Sequence, residues 1–122
     1  MNQKERRALV EGYLGKTVQI GIDRPIGFVH EKKDGTSLTY PINYGYIPGV
    51  LGGDGEELDV YLLGVTSPVE SYTARVIGIV FRRNDVEDKL VAAPEGMHFT
   101  AAEIAQAVHF QERYYDSYVE TL

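Results

Sequence analysis

The carboxylates of Asp54, Glu56 and Asp59 fall within six residues where a glycine-rich turn meets an apolar segment, LDVYLL. Asp54 and Glu56 lie in the turn, and Asp59 lies near the beginning of the apolar segment. In a β-strand successive side chains alternate between the two faces, so Asp59 shares a face with Tyr61 and Leu63. The pattern therefore predicts a hairpin whose second strand holds one carboxylate in a fixed direction.

This group of carboxylates has two interpretations. Their oxygens are the hard ligands that Mg²⁺ takes together with water and the oxygens of a bound phosphate. An Asp-Gly turn with neighbouring acids is also a common solvated hairpin connection, and the pattern alone favours this second interpretation. The acids do not follow the alternating spacing of a calcium-binding EF-hand loop.

The segment before the turn, YPINYGYIP, contains Tyr40, Tyr44 and Tyr46, two prolines that fix the backbone, and Gly45 where a side chain would be in the way. Followed by DGEELDV, it closely resembles the signature of the soluble inorganic pyrophosphatases of family I, in which a YPxNYGYIP-like strand precedes a DGDPxDV-like acid cluster. The resemblance covers about a fifth of the chain without a gap. It implies hydrolysis of inorganic pyrophosphate with divalent metal ions.

Length and composition limit the possible classes. A chain of 122 residues with 43% hydrophobic and 25% charged residues predicts a single domain, residues 1–122. Because cysteine is absent, any metal ion is held by oxygen or imidazole. A charged N-terminus and the lack of a long apolar run predict a cytoplasmic protein without a membrane partner. The net charge of −6 disfavours nucleic acid as a partner.

Hydrophobic periodicity predicts mostly strands. Helices are predicted over residues 3–13 and 101–122, and the second follows a capping box at Thr100 and Glu103. Strands are predicted over residues 17–22, 26–30, 36–40, 58–65, 71–82 and 89–93. Gly78 indicates a bend or a close backbone approach. The order of elements indicates a mainly β fold, an antiparallel barrel or meander closed by a helix. The resemblance implies a small closed OB-like antiparallel barrel with a short N-terminal helix and a long C-terminal helix.

A second charged segment, NDVEDKLVAAP, is by itself typical of a solvated turn between strands. The resemblance places Glu87 on an aspartate of the family and Lys89 on its phosphate-binding lysine, with Asp85 nearest to the first acid of the family's loop. In the C-terminal segment HFQERYYD, Tyr114 falls on a phosphate-binding tyrosine, and Tyr115 replaces a lysine.

The resemblance implies a role for each matching residue. Mg²⁺, with Mn²⁺ as the alternative, is expected on five acids: Asp54, Glu56, Asp59, Asp85 and Glu87. Three residues are predicted to act in catalysis, with the first as general base: Glu56, Tyr44 and Lys89. Six residues are predicted to bind the substrate: Lys32, Arg24, Tyr40, Tyr44, Lys89 and Tyr114.

The chain also departs from the family pattern. Gly21 stands where the first strand of the family carries a glutamate, and Lys32 stands where the family has an arginine, which loses the bidentate guanidinium fork. Glu56 and Glu87 extend an aspartate by one methylene, a shift of roughly 1 Å, and misplacement on this scale costs about a hundredfold in rate. Basic residues at new positions are candidates to compensate for these departures: Arg24, His30, and Arg82 or Arg83.

The leading functional hypothesis is Mg²⁺-dependent hydrolysis of pyrophosphate to two phosphates by a metal-activated water. Alternatives are hydrolysis of another phosphate ester or anhydride, and a non-catalytic phosphate- or nucleotide-binding module on the same fold. An OB-type nucleic-acid binder is a third hypothesis, which the acidic charge disfavours. The expected partner is a small-molecule phosphate, and the resemblance makes a homo-oligomer possible.

Overall fold

The computed structural model describes all 122 residues. In chain order the elements are α1 (Gln3–Glu11), β1 (Thr17–Arg24), β2 (Val29–Glu31), β3 (Ser37–Thr39), β4 (Asn43–Leu51), β5 (Glu57–Leu62), β6 (Ser71–Arg82), β7 (Lys89–Ala93), α2 (Ala101–Glu112) and β8 (Ser117–Thr121). Neither helix is long and apolar enough to cross a lipid bilayer.

Five strands close into a barrel in the order β1-β4-β5-β7-β6, because β6 also pairs with β1. All of these pairings are antiparallel except that of β5 with β7, which is parallel. The short hairpin of β2 and β3 forms a separate sheet, and β8 pairs with the end of β6. The mainly β, closed OB-like class predicted from the sequence is confirmed.

The period of two in β5 separates two apolar clusters, as the sequence predicted. Leu58, Val60 and Leu62 belong to one cluster with Ile20 of β1. On the other face, Tyr61 packs in a second cluster, which also contains residues of α2. Asp59 belongs to the face of Tyr61, and it therefore points toward the side of the barrel that α2 covers.

Two glycines permit the close approaches expected of them. A Cβ atom added at Gly45 would lie 1.8 Å from the carbonyl oxygen of Gly21, so β1 and β4 cannot pair as they do with any larger residue there. At Gly78 the register of β6 against β7 shifts, and an added Cβ would lie 3.0 Å from the carbonyl oxygen of Glu120. The bulge allows β6 to pair both with β7 of the barrel and with β8.

The C-terminal helix is shorter than predicted. The capping box of Thr100 and Glu103 is present, but α2 ends at Glu112, and residues 117–121 form β8. This segment pairs with the outer part of β6, and the ring of Tyr118 stacks on Phe81 at 5.3 Å. Pairing with an available strand thus overrides a local pattern that suits a helix. In β1 the strand also continues through Arg24, beyond its predicted end.

Candidate functional site

A cavity of about 340 Å³ opens between the barrel and the end of α2. Its walls combine basic, acidic and phenolic groups from β1, β4, β5, β6, β7 and the C-terminal segment. The charged residues that line it are Asp23, Arg24, Lys32, Asp59, Arg82, Glu87 and Lys89. A polar cavity of this composition suits a small multiply charged anion.

Lys89 lies at the centre of the hydrogen bonds in this cavity. Its side chain is 3% exposed, and its Nζ donates to the hydroxyl of Tyr44 and to Oδ2 of Asp59, each at 2.6 Å. It also donates to Oε1 of Glu87. The three groups meet because β5 lies between β4 and β7 in the barrel, where Asp59 comes beside Lys89. The ammonium group therefore has all three of its protons committed.

The two carboxylates beside Lys89 differ in acidity. Burial, and then the hydrogen bond with Asp59, raise the pKa of Glu87 to about 7. Burial would also raise the pKa of Asp59, but the hydrogen bond from Glu87 and the charge of Lys89 outweigh it and lower this pKa. As the pH falls below about 7, Glu87 is therefore protonated first, while Asp59 keeps its charge.

This shift predicts a pH dependence of stability. The pKa of Glu87 is about 7 in the folded protein against an ordinary value of 4.5, so its contribution to the free energy of unfolding is complete below pH 4.5 and is lost as the pH rises through 7. Without divalent cations, the wild-type protein is expected to lose on the order of 1 kcal/mol relative to Glu87→Gln across this window, after screening and the opposing shift at Asp59 are discounted. Chemical denaturation of both proteins at several pH values measures this difference. If the free energies of unfolding of the two proteins change with pH in parallel, the prediction is wrong.

Arg24 and Asp23 reach the cavity from the end of β1. The register of β1 against β4 shifts between Ile22 and Arg24, so Asp23 lies in a bulge, a feature that redirects side chains. Burial, and next the charge of Asp59, raise the pKa of Asp23. The sequence analysis did not identify Asp23 as a site residue; the only signal was the break in the strand pattern before Pro25.

The missing side chain at Gly21 also has a structural explanation. A Cβ atom there would lie 2.8 Å from the ring of Tyr46, which packs across this point of β1. No acidic side chain fits in the same place without displacing the ring. The acid nearest in sequence that reaches the cavity is therefore Asp23, two residues further along β1.

Arg82 forms the opposite wall and belongs to a buried ionic network. Its side chain is 1% exposed, and Nε and Nη2 donate to the two carboxylate oxygens of Glu112 at 3.0 and 2.7 Å. The hydroxyl of Tyr61 donates to the same carboxylate at 2.5 Å. On its other side, Arg82 donates through Nη1 to Asp85 at 3.1 Å, and the ring of Tyr115 stacks over the guanidinium at 3.6 Å. This network joins the acidic loop to the end of α2.

The predicted substrate-binding residues all line the cavity: Arg24, Lys32, Tyr40, Tyr44, Lys89 and Tyr114. Two of the compensating candidates do so as well, His30 and Arg82. Tyr114 is exposed and lies under Lys32, whose Nζ is 3.6 Å from the centre of the ring. Whether these residues bind substrate stays a prediction.

The predicted metal ligands are only partly brought together. Asp59 and Glu87 line the cavity, whereas Asp54, Glu56 and Asp85 do not. Asp54 and Glu56 are exposed in the turn before β5, where the Asp54 carboxylate accepts the backbone N–H of Glu56 at 3.0 Å. Asp85 is held by Arg82. No group of three or more acids and histidines lies in an arrangement that holds a metal ion.

The role of Glu56 as general base stays a prediction, and its position in the structure does not support it. The turn precedes the first residue of β5, and the Glu56 side chain lies outside the cavity that contains Lys89 and Asp59. A residue that takes a proton in the reaction must lie within hydrogen-bonding reach of the substrate or its water. Local turn chemistry brings Asp54 and Glu56 toward one another but does not direct them to Asp59.

The closed barrel defines an OB-like protein, and its cavity combines basic, acidic and phenolic groups. The family model described as inorganic pyrophosphatase matches residues 9–119. The chain therefore belongs to the inorganic pyrophosphatase family, as the resemblance predicted.

Relatives and solved structures agree with this assignment. An inorganic pyrophosphatase of Saccharolobus solfataricus is 46% identical over 63 residues, which are 48% of this chain and 37% of that protein. Soluble inorganic pyrophosphatase 3 of Arabidopsis thaliana is 31% identical over 122 residues, 90% of this chain and 56% of that protein. The chain thus spans roughly a third to a half of the length of these relatives.

Among solved structures, the inorganic pyrophosphatase of Ehrlichia chaffeensis has a TM-score of 0.65 at 22% identity, covering 88% of this chain and 87% of that one. The inorganic pyrophosphatase of Coxiella burnetii has a TM-score of 0.60 at 22% identity, covering 88% and 84%. At this identity the structural likeness establishes the fold.

Proposed function

We propose that this protein hydrolyses inorganic pyrophosphate to two phosphates with the help of a divalent cation, Mg²⁺ or Mn²⁺. The observation that carries the proposal is the buried ammonium group of Lys89, which two carboxylates and the phenol of Tyr44 surround in an open polar cavity. This arrangement places donors for phosphate oxygens beside oxygens for a cation. Membership of the pyrophosphatase family supports the same reaction.

The carboxylate pair fits a divalent cation. Asp59 and Glu87 offer hard oxygens, and a cation that binds there would favour the charged form of Glu87, whose pKa is otherwise raised. Mg²⁺ is commonly held by one or two carboxylates together with waters and substrate phosphates. When bound, the cation lowers the pKa of water and offsets the charge of the phosphate oxygens.

The basic and phenolic groups of the chain would bind the substrate. Tyr44 and Arg24 can donate hydrogen bonds to phosphate oxygens, whose charge grows as the bridging P–O bond breaks. Lys89 can do so as well once a cation takes its place at one of the carboxylates that it now contacts. The attacking water forms the new P–O bond and loses its proton. Asp23 is the candidate to accept that proton, because its carboxylate lines the cavity and makes no hydrogen bond with another side chain.

The remaining expectations stand as parts of the same proposal. Residues 1–122 would act as one domain in the cytoplasm, on a small-molecule phosphate and without nucleic acid or a membrane as partner. The overall charge of −6 supports the absence of nucleic acid. A homo-oligomer is proposed from family membership only.

Phosphate release tests the proposal directly. With Mg²⁺ and pyrophosphate, the wild-type protein is expected to release phosphate, and Asp59→Asn is expected to lower kcat/KM by about a hundredfold or more, because a charged ligand is lost. The control is Glu95→Gln in the exposed turn after β7, outside the cavity, which should stay within about threefold of wild type. No release by the wild type, or equal losses in both variants, would refute the proposal.

A binding module without turnover is the second candidate, because Lys89 already forms ion pairs with Asp59 and Glu87, the two acids that would hold a cation. Calorimetry with pyrophosphate and Mg²⁺ would then show binding while the assay shows no phosphate. A hydrolase for another phosphate ester or anhydride would release phosphate from a nucleoside triphosphate in preference to pyrophosphate.

A further inference from the structure

We propose that Tyr40 and Gln111 are positioning residues that fix the guanidinium group of Arg24 in the cavity, and that Tyr40 does not itself bind the substrate. The inference deepens the proposed function and rests on it for the identity of the anion. It assigns Tyr40 a different role from the substrate binding predicted from the sequence.

The hydroxyl of Tyr40 is already used both as a hydrogen-bond donor and as an acceptor. It donates its only proton to Oε1 of Gln111 at 2.5 Å and accepts a hydrogen bond from Nη1 of Arg24 at 2.5 Å. The residue is 1% exposed, and its ring packs edge-on against Phe28 and Phe110. While both bonds hold, Tyr40 has no proton to donate to a phosphate oxygen.

Arg24, by contrast, is fixed by its hydrogen bond to Tyr40 but keeps most of its N–H donors free. A guanidinium group has five N–H donors, and Arg24 uses one of them on Tyr40. Its charged carbon lies 5.6, 5.4 and 5.9 Å from the ring centres of Phe28, Tyr40 and Tyr44, so aromatic faces surround the group. A side chain ordered in advance loses less conformational freedom when an anion binds.

Arg24 also has no ion-pair partner, unlike the buried cations Lys89 and Arg82. Lys89 and Arg82 form ion pairs with acidic side chains, whereas no ion pair in the structure involves Arg24. Gln111 is a neutral acceptor, so it orients Tyr40 without adding a negative charge behind the guanidinium. A glutamate in its place would offset part of the attraction for an anion.

Calorimetry with imidodiphosphate, a non-hydrolysable pyrophosphate analogue, tests the arrangement in the presence of Mg²⁺. Tyr40→Phe and Gln111→Leu are expected to weaken binding about five- to tenfold each, the effect of one lost orienting hydrogen bond. Arg24→Met should weaken it by about a hundredfold, because charge and donors are both lost. Gln106→Leu, an exposed position on the same helix, is the matched control and should leave the affinity unchanged. Thermal melts confirm that each variant is folded.

The decisive comparison is Tyr40→Phe in the Arg24→Met background. If Tyr40 acts through Arg24, the second substitution adds less than about twofold to the loss. If it weakens binding by the same factor as in the wild type, Tyr40 contacts the anion itself and the inference is wrong. In steady-state assays the two single variants should raise KM with kcat changed less than about threefold. Binding of the analogue without hydrolysis of pyrophosphate would refute the proposed function yet still test the positioning roles; no binding by the wild type would refute both.

Discussion

Arg82→Met is expected to lower the free energy of unfolding by about 3–5 kcal/mol, the loss that follows when one partner of a buried ion pair is removed. Glu112 is 4% exposed at its side chain and would keep its charge without the two hydrogen bonds from Arg82. Only the hydroxyl of Tyr61 would remain as a partner for the carboxylate. Urea denaturation of both proteins at neutral pH measures the difference.

Two controls separate this effect from a general loss of charge. Arg83 is the next residue, its side chain is 54% exposed, and it pairs with Asp116 on the surface, so Arg83→Met should change stability by no more than about 1 kcal/mol. The double variant Arg82→Met with Glu112→Leu replaces the pair by apolar groups and should recover most of the loss. If Arg82→Met and Arg83→Met have equal effects, the buried network does not stabilise the fold.

Lys89→Met is expected to lower kcat/KM for phosphate release from pyrophosphate by about a hundred- to a thousandfold. The substitution removes the donor that reaches Tyr44, Asp59 and Glu87, and Glu87 keeps only the longer contact with Arg82 at 3.6 Å. The effect should appear in kcat as well as in KM, because charge on the phosphate grows as the P–O bond breaks.

The control for this variant is Lys33→Met, an exposed lysine in the turn between β2 and β3, which should leave kcat/KM within about twofold. Lys89→Arg keeps the charge but not the compact ammonium group, and it is expected to restore less than a tenth of the activity. Activity of Lys89→Met near the wild-type level would mean that the reaction takes place elsewhere.

The alternation in residues 58–63 was enough to predict which face of β5 carries Asp59. The meeting of Asp59 with Lys89 depends on the parallel pairing of β5 with β7, two strands that are distant in sequence, and no local pattern shows it. The resemblance to the family supplied that information. The order of elements indicated a barrel or a meander closed by a helix, and the resemblance to the family decided for the closed barrel.

Several site features could not be predicted because they depend on tertiary contacts. Glu112 has the sequence appearance of a surface helix residue, yet it is buried against Arg82, and only the fold shows the partner. Asp23 reaches the cavity through a bulge in β1, which a strand pattern does not reveal. Asp54 and Glu56 are predicted to converge with Asp59 on one metal site, whereas the direction of their turn is set by the hairpin as a whole.

A crystal soaked with Mn²⁺ and phosphate tests the central claim most directly. The account predicts an anomalous peak between the carboxylates of Asp59 and Glu87, with a phosphate within hydrogen-bonding distance of Lys89 and Arg24. A peak only at the exposed turn of Asp54 and Glu56, with no phosphate in the cavity, would contradict it.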